Sequence, residues 1–172
     1  HILNITTRGN MAVNILRLDA SMRKTGSYSR GLADKLIAQL ASEKNSQVTI
    51  RDLADGISFI DENWINANFT AIDERTAKQN KYLLTSDILV DELNNAELIV
   101  IALPIYNFGV PAAFKAWIDQ VVRSKLTFRY GDDGPIGLVK NKKAYIIIAS
   151  GGTKLGTELD FISSYSIFCS YE

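Results

Sequence analysis

The run ELIVIALP at residues 97–104 constrains the fold more than any other stretch of the chain. Leu98 through Leu103 are apolar without a break, so a strand built from them has no polar face to turn to water. Strands of that kind belong to parallel sheets covered on both sides. Three other runs read as strands. VNILRLD at 13–19 leads into a serine-rich turn, QVTIRDL at 47–53 alternates, and KKAYIIIASGG at 142–152 reads as a fully buried strand ending in glycines.

Helical patterns separate these runs. Leu32, Leu36, Ile37 and Leu40 recur at helical spacing. Residues 54–69 hold apolar side chains with no clean period and read as irregular. Thr70, Ala71, Ile72 and Asp73 resemble a capping box, which predicts a helix from there to about Asn94. Pro111 suits the first turn of a further helix, where its missing N–H costs little. Strand and helix in strict alternation predict a doubly wound parallel sheet in three α/β/α layers, here with four strands.

Composition narrows the chemistry. With 172 residues, 47% of them hydrophobic, the chain is one domain able to bury a sizeable core. Nineteen basic residues balance nineteen acidic ones, which gives no electrostatic case for nucleic acid or an anionic membrane surface. The apolar runs are too short to span a bilayer. A single cysteine, Cys169, fits a reducing compartment, and the expected location is cytoplasmic. The one histidine is His1, so no Ser-His-Asp or Cys-His apparatus and no zinc cluster can be assembled. No GxxxxGK[ST] phosphate loop occurs. An enzyme made from this chain needs a bound cofactor for its chemistry. Residues 1–10 read as a leader or cloning remnant, with Met11 as the native start and 11–172 as the domain.

In open α/β sheets ligands bind beyond the carboxyl ends of the strands, where strand order switches. Three unusual segments fall there. After Asp19 come Ser21, Ser27, Tyr28 and Ser29, with Gly26 allowing a tight turn. Hydroxyls and free N–H groups at a helix start make a phosphate cradle, although taken alone Ser27 or Ser29 more often merely caps the helix. Arg23, Lys24 and Arg30 nearby favour an anion slightly, and solvated charge explains them equally well. After Leu103 come Pro104, Ile105, Tyr106, Asn107, Phe108 and Gly109, with two aromatics that the saturated strand does not need as anchors. After Ile148 come Ala149, Ser150, Gly151 and Gly152, whose glycines let backbone amides approach a ligand closely.

Together Ser21…Ser27-Tyr28-Ser29, LPIYNFGVPAAFKAWID, LTFRYGDDGPIGLVKNKKA and SGG resemble the FMN-dependent NADH:quinone oxidoreductases called azoreductases, over residues 13–160. The resemblance implies a flavodoxin-like fold with strand order 2-1-3-4-5, a homodimer, and FMN held noncovalently. It places Ser21, Ser27, Tyr28 and Ser29 at the flavin phosphate. Ile105, Tyr106, Asn107 and Phe108 then border the isoalloxazine, and Ala149, Ser150, Gly151 and Gly152 its pyrimidine side. Several relatives carry Ser-Arg where this chain has Ala149-Ser150, a substitution that backbone amides can absorb. Residues 127–138 suggest a flap in which Phe128 and Tyr130 shape the substrate pocket or the dimer seam. Trp64 and Phe69 would complete that wall or simply pack in the core. No metal is implied, and no side chain is an obvious general acid.

The implied reaction is a two-step exchange, with hydride from NADH or NADPH to the flavin, then electrons to a quinone or azo compound. Two other readings stand beside it: a flavodoxin-type electron carrier, and an inactive truncated domain. The second arises because relatives continue past the DLVxPYL segment, whereas here the expected Pro and Leu around Tyr165 are Ser164 and Ser166 and the chain soon ends. The expectation is a domain lacking the family's fifth strand and final helix, with an exposed last strand prone to aggregation.

Overall fold

The computed structural model describes residues 12–43, 45–152 and 156–158. The residues around Met11, and Cys169 with the segment from Phe161 onward, lie outside that description.

Four parallel strands form the sheet: β1 (Val13–Asp19), β2 (Ser46–Asp52), β3 (Leu98–Pro104) and, later in the chain, β6 (Lys143–Ala149). Their order is β2-β1-β3-β6, so the expected 2-1-3-4 arrangement holds. An antiparallel hairpin of β4 (Phe128–Gly131) and β5 (Gly134–Gly137) stands apart from it. The helices are α1 (Tyr28–Glu43), α2 (Glu62–Phe69), α3 (Ala77–Asn95) and α4 (Ala112–Val121).

The alternation of side chains along a strand decides what covers each face. On one face Ile15 of β1 and Val100 and Ala102 of β3 meet Ala33 of α1, with Leu36, Ile37 and Leu40 packed around them. On the other, Leu16, Leu18, Ile99, Ile101 and Leu103 meet Leu89 and Val90 of α3 and Phe114, Trp117 and Val121 of α4. β3 is buried on both sides, as its unbroken apolar run requires. A smaller cluster of Trp64, Ala67 and Leu83 joins α2 to α3.

Three expectations change. Residues 62–69 are a helix, not irregular chain, because Asp61 caps them: its carboxylate accepts from the Trp64 N–H at 2.8 Å. The capping box sits at Thr76 and Gln79 instead of Thr70 and Asp73. Each side chain there accepts from the other's backbone N–H, at 3.2 and 2.9 Å, while Ile72–Glu74 forms only a single tight turn. Finally, β6 is half-buried along residues 145–149. Among the described strands it pairs with β3 alone.

Candidate functional site

The strand order reverses between β1 and β3, and the loops leaving these two strands are tied together. The Tyr106 hydroxyl accepts from the Met22 N–H at 3.2 Å and lies 3.4 Å from Ser21 Oγ. The Ala20 N–H donates to Ala102 O at 3.0 Å, and the Ile105 N–H donates to Ala149 O at 2.8 Å. The three segments singled out in the sequence therefore share one edge of the sheet.

Within the first loop, Ser21 and Ser29 are buried and Ser27 Oγ lies 3.2 Å from Ser29 Oγ. Ser27 also starts α1, its carbonyl accepting from the Gly31 N–H at 3.0 Å. The N–H groups of Tyr28 and Ser29 lie ahead of any intrahelical acceptor and are the positive end of the helix. Gly26 has φ +66°, a left-handed turn that lets the loop fold back onto the helix start. The Tyr28 ring points away from the core and is exposed.

The second loop is a tight two-residue turn. Tyr106 and Gly109 exchange both backbone hydrogen bonds at 3.0 Å, and the residues between them, Asn107 and Phe108, have φ +49° and +65°. Two left-handed residues in succession define a type I′ turn, which usually takes Asn-Gly. Asn tolerates the conformation; Phe does not, and its strain is about 1–2 kcal/mol. What that strain achieves is an exposed aromatic ring at the mouth of the site. In the third loop Gly151 and Gly152 are exposed, and the Gly152 N–H turns back to Ser150 Oγ at 3.2 Å.

Phe128 and Tyr130 lie on one face of the β4–β5 hairpin, their rings edge to face with centroids 5.3 Å apart. The segment 127–138, expected as a flap, holds this hairpin. Trp64 belongs to the α2–α3 core under the Arg123 guanidinium, 5.9 Å from its ring, whereas Phe69 is exposed. Core packing is the reading that the structure supports for Trp64.

Beneath the first loop lies a set of charges of which the sequence pointed only to the basic Lys24 and Arg30, and not to their partners. Arg17 and Asp19, two residues apart on β1, form a buried pair at 3.0 Å. Arg30, from the first turn of α1, grips both oxygens of Asp52 at 2.6 and 2.8 Å. It also reaches Asp19 at 3.2 Å and the Ser21 carbonyl at 2.6 Å. The parallel register sets Asp19 opposite Asp52 and so brings the two carboxylates to one guanidinium. The Arg30 contact holds the Asp52 carboxyl below its ordinary pKa, and Asp52 in turn raises that of Arg30. Arg17 pairs further with Asp34, and Lys24 with Asp55 at the surface.

Among the described residues no group of His, Cys, Asp and Glu could hold a metal ion, and no helix is long and apolar enough to cross a membrane. An open groove of about 440 Å³ lined by Asn14, Gln47, Thr49, Ile88 and Glu92 lies at the opposite, amino-terminal ends of β1 and β2. It takes no part in the site.

A parallel sheet with helices on both faces and hydroxyl- and amide-bearing loops meeting at its switch point defines a flavodoxin-like protein. Residues 13–167 match the profile of the Flavodoxin-like fold family. The chain is 81% identical over 153 residues to "FMN-dependent NADH:quinone oxidoreductase 1" of Colwellia psychrerythraea, covering 89% of this chain and 80% of that one. It is 51% identical over 152 residues to the protein of the same name from Jannaschia sp., covering 88% and 78%. This chain therefore belongs to the FMN-dependent NADH:quinone oxidoreductase family. Among solved structures, an azoreductase from Bacillus anthracis superposes with a TM-score of 0.81 at 24% identity, over 91% of this chain and 79% of that one. An FMN-dependent NADH-azoreductase from the same species, solved with FMN, gives 0.77 at 22% identity over 92% and 81%. Those two likenesses speak for the fold.

Proposed function

We propose that the protein is an FMN-dependent oxidoreductase that uses NADH to reduce quinones and azo compounds. The 81% identity to the Colwellia relative carries this reading. The residues present fit the cofactor. Ser21, Ser27 and Ser29, with the first N–H groups of α1, are a neutral donor set of the size for one phosphate, placed at a helix amino terminus. The sequence offers no second phosphate loop, which favours FMN over FAD. Tyr28 would lie beside the same phosphate group.

When bound, FMN supplies the redox centre that this chain's side chains lack. The protein's share is to hold and orient. The 106–109 turn, entered from Ile105, would border the isoalloxazine with the Asn107 amide and the Phe108 ring. Ala149, Ser150, Gly151 and Gly152 would border its pyrimidine side, where backbone N–H groups such as that of Gly151, as fixed donors, favour negative charge. Phe128 and Tyr130, side by side on the hairpin, would supply an apolar face for a flat acceptor. The same reading makes the enzyme a cytoplasmic homodimer. Exposed Phe59, Phe69 and Ile72 supply apolar surface for a partner subunit.

Titrating apoprotein with FMN and FAD, then following NADH oxidation with a simple quinone, tests the reading. Tighter FMN binding and quinone-dependent turnover are expected. Tighter FAD binding overturns the cofactor assignment; FMN binding without NADH turnover points instead to an electron carrier.

A further inference from the structure

We propose that Arg30 is a positioning residue for the flavin phosphate, acting through the backbone of Ser21. The inference rests on the FMN reading above and deepens it.

Three observations carry it. First, Arg30 does not point its charge outward as a phosphate ligand would. Its two terminal nitrogens are committed to Asp19, Asp52 and the Ser21 carbonyl, and its side chain is only 11% exposed. Second, the Ser21 carbonyl is a loop acceptor, and the 2.6 Å contact from a guanidinium is a charge-assisted bond, stronger than the neutral bonds that Ser21 and Met22 make. Those are the Ser21 Oγ bonds with the Arg23 backbone at 3.2 and 3.3 Å and the Tyr106 hydroxyl contacts at 3.2 and 3.4 Å. Third, Arg30 belongs to the same helical turn that supplies the free N–H groups of Tyr28 and Ser29. One side chain therefore fixes the distance between the two halves of the cradle, the Ser21 loop and the α1 start.

The charges explain why an arginine is needed. Arg17 and Arg30 balance Asp19 and Asp52, so these four side chains carry no net charge. Without Arg30, Asp19 keeps Arg17 but Asp52 is left as an uncompensated negative charge beneath the Ser21 loop. Loss of Arg30 should therefore hurt a phosphorylated flavin far more than riboflavin, which has the same ring system and no phosphate.

The test measures dissociation constants of FMN and riboflavin, by quenching of flavin fluorescence, for apoprotein of the wild type, R30M, R30K and the double variant R30M/D52N. Wild type should prefer FMN strongly; a wild type that binds neither flavin, or both equally, refutes the FMN reading itself and with it this inference. In R30M, FMN affinity should fall about 10- to 100-fold, the loss of a charge-assisted bond plus a stranded partner. Riboflavin affinity should change less than about 3-fold, within the scatter of an indirect effect. R30K, which keeps the charge but not the fork, should recover part of the loss. R30M/D52N restores charge balance without the Ser21 contact and should stay weak for FMN. Equal loss of both flavins in R30M overturns the proposal by making Arg30 a structural strut. Full recovery of FMN binding in the double variant also overturns it, by reducing the effect to charge alone.

Discussion

Replacing Asp52 with Asn isolates the link between β2 and the first turn of α1. Asn keeps the shape and can still accept the Ala54 N–H, which Asp52 receives at 2.9 Å. What it loses is the doubly hydrogen-bonded ion pair with Arg30 at 2.6 and 2.8 Å. Breaking a fully buried pair costs about 3–5 kcal/mol. The Arg30 and Asp52 side chains are 11% and 18% exposed, and Arg30 keeps Asp19 and Ser21 as partners. The expected cost is therefore smaller, about 2–3 kcal/mol at neutral pH. For a chain of this length that lowers the melting temperature by about 4–12 °C.

The pH dependence gives the sharper test. The Asp52 carboxyl has its pKa lowered from 3.8, chiefly by the Arg30 hydrogen bond. A carboxyl lowered on folding contributes stability that is present above its unfolded pKa and lost as pH falls through the folded one. The gap between wild type and Asp52→Asn should thus be full near pH 7 and narrow as pH drops below 3.8. Urea unfolding followed by circular dichroism at several pH values measures it. A gap below about 0.5 kcal/mol at pH 7 would place Asp52 with ordinary surface substitutions and refute the reasoning. So would a full gap that persists far below the folded pKa.

Two further substitutions test the rims of the site. Phe108→Gly relieves a left-handed phenylalanine but loosens the unfolded chain, so stability should stay within about 1 kcal/mol of wild type. FMN affinity should nonetheless fall, and unchanged affinity by fluorescence titration would remove Phe108 from the flavin's border. Tyr130→Ala removes the edge-to-face partner of Phe128, a loss of about 0.5–1.5 kcal/mol at most in an exposed hairpin. It should raise the KM for quinone while leaving the FMN dissociation constant alone; the opposite pattern would move the hairpin from acceptor to cofactor.

Much of this protein was written locally. The unbroken apolar run of β3 required cover on both faces, and alternating helices could supply it only in a doubly wound sheet. The three loops were legible because each lies within a few consecutive residues and a parallel sheet sends the ends of its strands to one side. The turn at Asn107 and Phe108 even kept its signature, with glycine one position later than the usual Asn-Gly.

Other features depended on packing. Thr70 and Thr76 both offer a helix start, and the choice fell to Thr76, where Gln79 completes the reciprocal bonds and Leu83, Leu89 and Val90 turn inward. The α2 helix was obscured because its apolar side chains divide between a buried Trp64 and an exposed Phe69. Burial of β6 depends on which neighbours pair with it, a fact of the sheet and not of its own residues. Arg30 looked like any solvated cation beside a loop. Its role follows from a parallel register that sets Asp19 of β1 beside Asp52 of β2, and from the first turn of α1, which brings Arg30 to both carboxylates. Periodicity reports which face of an element is apolar; it carries no information on which strand lies next to which. Charges from three separate elements can find one another only after that choice has been made.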